Sequence, residues 1–120
     1  MLRKVLCICL LFVPLFAHAA TSAEISKYLI GKWQVESIKK ENSTEYHPPK
    51  RPMKWEFTKN GILIEELGAS GAKVKWHYHV DEDEIKTQLG SMAFSWKVLS
   101  MQPKLMLIKH QLGVLKVKRM

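Results

Sequence analysis

The sequence predicts an all-β protein, a small eight-stranded antiparallel up-and-down barrel preceded by one short helix. Short runs in which apolar and polar residues alternate follow one another along the chain, and turn residues separate them about every 8–12 residues. After Trp33 the apolar pattern repeats at every second residue, which leaves almost no room for another helix. Eight strands joined in this way can close into a barrel. Closure is favourable because it leaves the sheet with no exposed edge strand.

The first twenty residues predict a secretory signal peptide. The basic pair Arg3–Lys4 precedes an apolar run from Val5 to Phe16, and the "AHA" of residues 17–19 fits the small-x-small cleavage pattern. The apolar run is shorter than the roughly 20 residues that a membrane span needs. We therefore expect residues 1–20 to be a cleaved leader rather than a membrane anchor.

Removal of the leader leaves one domain, residues 21–120, which we expect in the periplasm or outside the cell. Cys7 and Cys9 both lie in the leader, so the mature domain has no cysteine. This excludes a disulfide framework, a thiol nucleophile and a thiolate metal site. Without the two basic residues of the leader, seventeen Lys and Arg residues oppose eleven acids, and the net charge is about +6. The basic residues do not cluster with exposed aromatic residues, so we expect no nucleic-acid partner.

The segment "TSAEISKYL" predicts the helix, from Ser22 to Leu29. Thr21 and Glu24 are spaced for a capping box, in which each side chain accepts a hydrogen bond from the backbone N–H of the other residue. The apolar residues of the segment fall on one helical face, and Gly31 can end the helix.

Three later runs show the alternation of strands most clearly: "MKWEFT", "AKVKWHYHV" and "MAFSWKVLS". After the first of them the Asn60–Gly61 pair predicts a tight turn, because both residues tolerate a positive φ, and "ILIEEL" returns as the partner strand. The polar segment "ENSTEYHPPKRP", residues 41–52, predicts a long loop. The residues expected to face the interior are Trp33, Val35, Met53, Trp55, Phe57, Ile62, Ile64, Val74, Trp76, Tyr78, Phe94, Trp96 and Val98.

The stretch "VKWHYHVDEDE" raises the question of a metal site. His77 and His79 share one face of a strand, but Lys73 and Lys75 share it as well, and positive neighbours repel a cation. A zinc site needs three or four converging ligands, and the sequence supplies no third ligand. It also lacks the nucleophile-elbow, zinc-protease, phosphate-loop and dinucleotide motifs. We therefore expect no metal, no cofactor and no enzymatic activity.

The segment "LIGKWQV" resembles the start of the lipocalins and the wider calycin group, in which a short helix leads into Gly-x-Trp on the first strand. The motif here is Gly31–Lys32–Trp33, and the meander that follows it resembles the short exported lipocalin-like domains of bacteria. The resemblance implies that Gly31 and Trp33 are structural residues and that a basic residue near the last strand packs on Trp33. The candidates for that basic residue are Lys116, Lys118 and Arg119.

The resemblance also implies a function, the binding of a small hydrophobic or amphipathic molecule, such as a lipid, inside the barrel. No inward arginine is evident, so a neutral ligand or one with its headgroup outside suits the interior best.

The large aromatic rings can instead simply fill a barrel of this size, with no ligand. The alternative function is then a protein-binding module, inhibitor-like or structural, that acts through its loops. In either case we expect a monomer that does not span the membrane. The residues expected to bind the ligand are Trp55, Phe57, Trp76, Tyr78, Phe94 and Trp96.

We predict that the protein recovered from the cell envelope or the medium begins at Ala20 or Thr21, because cleavage follows Ala19 or Ala20. Intact-mass measurement and N-terminal sequencing check this directly. A protein that still begins at Met1 would contradict the prediction, and replacement of Ala19 by a bulky residue should slow the cleavage.

Overall fold

The computed structural model describes residues 20–120, so the predicted leader lies outside the described residues except for Ala20. One helix and eight strands follow one another, as the sequence predicts. The helix, α1, spans Ser22–Leu29. The strands are β1 (Gly31–Lys39), β2 (Met53–Phe57), β3 (Ile62–Leu67), β4 (Ala72–Asp81), β5 (Glu84–Leu89), β6 (Met92–Met101), β7 (Leu105–His110) and β8 (Gly113–Arg119).

The predicted capping box is present at the start of α1. The Thr21 hydroxyl accepts a hydrogen bond from the backbone N–H of Glu24 at 3.2 Å, and the Glu24 carboxylate accepts one from the N–H of Thr21 at 3.1 Å. Ile25 and Leu29 are buried on the inner face of the helix, which packs against β4 and β6. The helix therefore covers one end of the sheet.

The eight strands form a closed barrel in chain order, and every neighbouring pair is antiparallel. Closure joins β1 to β8, from Trp33 opposite Arg119 to Lys39 opposite Val114. Register shifts interrupt this pairing between Val35 and Ser37, and the β6–β7 pairing at a second place, which bends the strands where the sheet curves.

The bounds of β3 agree with the prediction, but the residues predicted to face the interior were the wrong ones. Trp55 and Phe57 are buried inside the barrel, and their partners on β3 are Glu65 and Leu63. Because residues directly opposite each other in an antiparallel pair share a face, Leu63 and Glu65 point inward, whereas Ile62 and Ile64 point outward. The run "ILIEEL" carries apolar residues in both phases of the alternation, so the pattern alone does not decide its face. The register that follows the turn at Gly61 decides it.

The barrel has two unlike ends. The closed end carries α1 and the tight turns β2–β3, β4–β5 and β6–β7. The open end carries the connections of residues 40–52, 68–71, 90–91 and 111–112. The long 40–52 loop is tied to β1, because Ile38 and His47 exchange backbone hydrogen bonds of 2.7 and 2.9 Å.

Arg119 is the basic residue that packs on Trp33. Its guanidinium carbon lies 4.3 Å from the centroid of the fully buried indole ring. The guanidinium donates to the carbonyl oxygens of Ile30 at 3.0 Å, of Pro103 at 2.7 Å and of Tyr28. One side chain at the end of the chain therefore joins the helix, β1 and the β6–β7 turn.

The Gly-x-Trp motif is explained by the same contact. Gly31 has a φ of +131°, and a Cβ atom added to it would lie 2.4 Å from Nη1 of Arg119. The indole N–H of Trp33 donates to the carbonyl oxygen of Leu29 at 2.8 Å, which ties the ring to the end of α1. The glycine thus gives the room in which Arg119 covers Trp33.

We predict that Trp33→Ala lowers the free energy of unfolding by about 3–5 kcal/mol, because it removes a fully buried ring and its hydrogen bond. Urea unfolding followed by far-ultraviolet circular dichroism measures the change. Lys118→Ala is the control, since the Lys118 side chain is exposed and its one ion pair within residues 20–120 is a 4.0 Å contact with Glu36. An unchanged urea midpoint for Trp33→Ala would contradict the role of this residue.

Candidate functional site

All six residues that the sequence predicts as ligand-binding lie on the inner face of the barrel, but they lie at three levels, toward the closed end, in the middle and toward the open end. Phe57 and Tyr78 lie toward the closed end, with ring centroids 5.0 Å apart at an interplanar angle of 84°. The Tyr78 hydroxyl donates to the carbonyl oxygen of Thr58 at 2.5 Å, and burial raises the pKa of this phenol. Phe57 is fully buried. These two rings therefore belong to the packed core rather than to an open site.

The middle of the barrel holds a stack of two indole rings and an imidazole. Trp55 and Trp96 stack with their centroids 5.0 Å apart and their planes 16° apart. The ring of His110 lies 4.8 Å from that of Trp96 and 6.0 Å from that of Trp55. The Trp96 N–H donates to the side-chain oxygen of Gln111 at 2.8 Å, and His110 Nδ1 accepts from the N–H of Leu112 at 3.2 Å. The β7–β8 turn therefore fixes one side of the stack.

The upper level of the interior, toward the open end, combines two aromatic rings with a carboxylate. Trp76 and Phe94 meet edge to face, with centroids 5.7 Å apart. The two oxygens of Glu65 accept the indole N–H groups of Trp55 at 3.2 Å and of Trp76 at 2.9 Å. Sequence analysis missed Glu65, because it assigned the other face of β3 to the interior. The same error hid the contact between Glu65 and the two tryptophans.

Burial of the inner face changes from one end of the barrel to the other. At the closed end Trp33, Ile85 and Val98 are fully buried, whereas Tyr78 and Val80 on β4 are partly exposed. Toward the open end the inward residues are still partly exposed, although they point into the barrel. Solvent therefore reaches part of the inner face in the open half. The partly exposed inward residues are Met53, Glu65, Val74, Trp76 and Phe94.

Thr87 lies on the inner face between Tyr78 and Phe94, its partners on the two neighbouring strands. It is only 2% exposed, and its hydroxyl has no hydrogen-bond partner among residues 20–120. A buried polar group ordinarily has such a partner, because leaving it unpaired costs about 1–3 kcal/mol. Thr87 and Glu65 are thus two polar residues on an inner face that is otherwise mostly aromatic and aliphatic.

The two histidines of "VKWHYHV" face outward, as predicted. His77 and His79 are both exposed on β4. Within residues 20–120, no three His, Cys, Asp or Glu side chains come close enough together to hold a metal ion.

The open end also carries clefts on its outer rim. A cleft of about 630 Å³ separates residues 50–53 from residues 67–70, and one of about 420 Å³ lies between residues 39–41 and 109–114. Both have basic side chains on their walls, Lys50 and Arg51 in the first and Lys109 in the second. Their walls also include residues that point inward, Met53 and Leu67 in the first and His110 in the second.

Known structures resemble this barrel, whereas sequence comparisons give no match. No protein-family model matches the sequence, and no curated protein matches it. A lipocalin-like protein from Bacteroides uniformis shares 14% identity with a TM-score of 0.63, and the match covers 77% of this chain and 98% of that one. An uncharacterized protein from Bacteroides eggerthii shares 15% identity with a TM-score of 0.61, over 76% of this chain and 98% of that one.

The chain therefore has a lipocalin-like fold, and the predicted resemblance is confirmed at the level of the fold. None of the helices within residues 20–120 has the length and apolar character required to cross a membrane.

Burial lowers the pKa of His110 from its usual value of 6.5 to about 4. The unfolded chain takes up this proton near pH 6.5, whereas the folded chain takes it up only near pH 4. Unfolding therefore binds a proton between these values, and the stability of the fold decreases as the pH falls through this window.

We predict that His110→Phe, which keeps a stacked ring, removes part of this acid sensitivity. Between about pH 7 and pH 5 the wild type should lose about 1 kcal/mol more unfolding free energy than the variant, after allowance for the partial exposure of the ring. Urea unfolding at both pH values gives the comparison. His77→Phe, at an exposed position, should behave as the wild type does, and equal losses in all three proteins would disprove the assignment.

Proposed function

We propose that this protein is a non-enzymatic binding protein that holds a small apolar or amphipathic molecule in the open half of its barrel. The observation that carries the proposal is the gradient of burial on the inner face. On β2, β3, β5 and β6 the inward residues are buried at the closed end and become partly exposed near the open end, and on β4 they are partly exposed throughout. Since a packed core has no reason to leave inward aromatic side chains accessible, the exposed surface of Trp76 and Phe94 suits a ligand.

The architecture of the open half favours a flat or elongated ligand. Trp76 and Phe94 form one wall, and the stack of Trp55, Trp96 and His110 lies beneath them. Burying apolar area contributes about 25 cal/mol per Å², from which the cost of immobilising the ligand is subtracted. The accessible ring surface is modest, so we expect weak to moderate affinity.

The proposal includes export to the periplasm or the medium, which the apolar leader and the "AHA" of residues 17–19 support. It also includes a monomeric state, because a closed barrel has no free strand edge with which to pair a second copy.

The alternative, a protein-binding module that acts through its loops, has less support. Protein interfaces usually depend on a few large anchors, above all aromatic residues and arginine. The large exposed hydrophobic residues of the described chain are Leu67, Met92, Leu99, Leu112 and Met120, and none lies in the 40–52 loop, where the only exposed anchor of this kind is Arg51. The one aromatic residue in that loop, Tyr46, is partly buried beneath Lys116, whose ammonium nitrogen lies 4.1 Å from its ring.

We predict that apolar ligands quench or blue-shift the tryptophan emission saturably and that Trp76→Ala weakens this binding severalfold. His77→Ala is the matched control, because His77 is the next residue on β4 and points outward. Titration of both variants and the wild type with a panel of lipids and aromatic compounds makes the comparison. If no compound changes the emission of the wild type, the interior is packed with side chains only and the loops become the site to test.

A further inference from the structure

Glu65 is the one charged residue that points into the open half of the barrel among the described strands. The other inward charge, Arg119, lies at the closed end, where it covers Trp33 and binds three carbonyl oxygens. No lysine or arginine of the described chain lies within ion-pair distance of the Glu65 carboxylate. Its negative charge is therefore not neutralised by the protein.

The two indole groups hold this carboxylate in place without neutralising it. Trp55 and Trp76 each donate one N–H to a different oxygen of Glu65, at 3.2 and 2.9 Å. An ionised carboxylate has about four acceptor positions on its two oxygens, so about two remain available. Glu65 is also partly exposed although it points inward, so solvent or a small ligand can reach it.

A purely apolar ligand would fit this space poorly. On entering it, such a ligand would take water away from the free positions of a charged carboxylate and replace it with carbon, which is unfavourable. A fatty acid would add a second negative charge beside Glu65. An ammonium group would instead pair with the carboxylate, and the faces of the surrounding rings attract a cation as well.

We propose that the open half of the barrel recognises an organic cation, an amine with an alkyl or aryl body, by pairing its ammonium group with Glu65. The faces of Trp76, Phe94 and the stacked rings below hold the apolar body. This inference rests on the proposed function and narrows its ligand class. Glu65 also has a structural role, as the acceptor for two indoles, so the test must separate recognition from folding.

The test uses three probes with the same eight-carbon chain and different charges: octylamine, octanol and octanoate. At about pH 7.5 the amine is cationic, because its pKa is close to that of lysine. Titrations followed by tryptophan emission give a dissociation constant for each probe. We expect the wild type to bind octylamine about tenfold or more tightly than octanol, and octanoate most weakly.

The order of the three affinities is informative because the net charge opposes it. The mature domain carries a net charge of about +6, so attraction to the protein as a whole would favour octanoate. Only a local negative site gives the reverse order. Glu65→Gln, which keeps the size of the side chain and an acceptor oxygen, should reduce the preference for octylamine over octanol to about twofold or less.

Glu66→Gln is the matched control. It removes the same charge from the adjacent residue, which points outward on β3, and it should leave the preference unchanged. If no probe binds to the wild type, the proposed function itself fails. If octanol binds as tightly as octylamine to the wild type, the proposed function stands and the role of Glu65 in recognition is overturned, whether or not Glu65→Gln folds. A preference that survives in a folded Glu65→Gln would overturn it too.

Discussion

The contact between Arg119 and Trp33 is the interaction on which the rest of the barrel depends. A cation over an indole ring contributes roughly 0.5–2 kcal/mol, and each hydrogen bond from a charged donor contributes about 1.5–3 kcal/mol. Arg119 makes one cation–π contact, with Trp33, and three hydrogen bonds, to the carbonyl oxygens of Tyr28, Ile30 and Pro103. The residue thereby fixes the helix over the closed end while β8 completes the sheet against β1.

The tightly packed closed end stabilises the barrel, so the side chains of the open end can pack less completely. Trp33 and the helix residues Ile25 and Leu29 are fully buried, and they seal one side of the core. The opposite end can then keep a carboxylate inside and leave rings partly exposed without loss of the fold. The two ends of the barrel follow a general pattern, in which a rigid scaffold positions a less stable functional region.

The sequence predicted much of this fold because the strongest patterns were local. Apolar and polar residues alternate throughout β4 and from Phe94 to Val98 in β6, so the inward sides of Trp76 and Trp96 followed directly. The capping box of Thr21 and Glu24 was equally local. The leader and its cleavage both stay predictions, because residues 1–19 lie outside the described residues.

The features that sequence analysis missed depend on contacts between distant residues. Only the register of β3 against β2 decides that Glu65 points inward, and "ILIEEL" is apolar in both phases. Only the geometry of closure selects Arg119 over Lys116 and Lys118 as the partner of Trp33. His110 reaches the stack through the β6–β7 and β7–β8 pairings, which no local pattern specifies.

The pairing of β1 with β8 also has a consequence for how the chain reaches its fold. Trp33 and Arg119 are among the most distant residues along the domain, yet they lie opposite each other in the sheet. Folds dominated by such non-local pairings are typically slow, in the range of milliseconds to seconds, because long loops must close before these contacts form. Until β8 pairs with β1, both strands present unpaired edges that can join strands of another chain. The closure of the sheet by the seven-residue β8 therefore also protects the protein against aggregation.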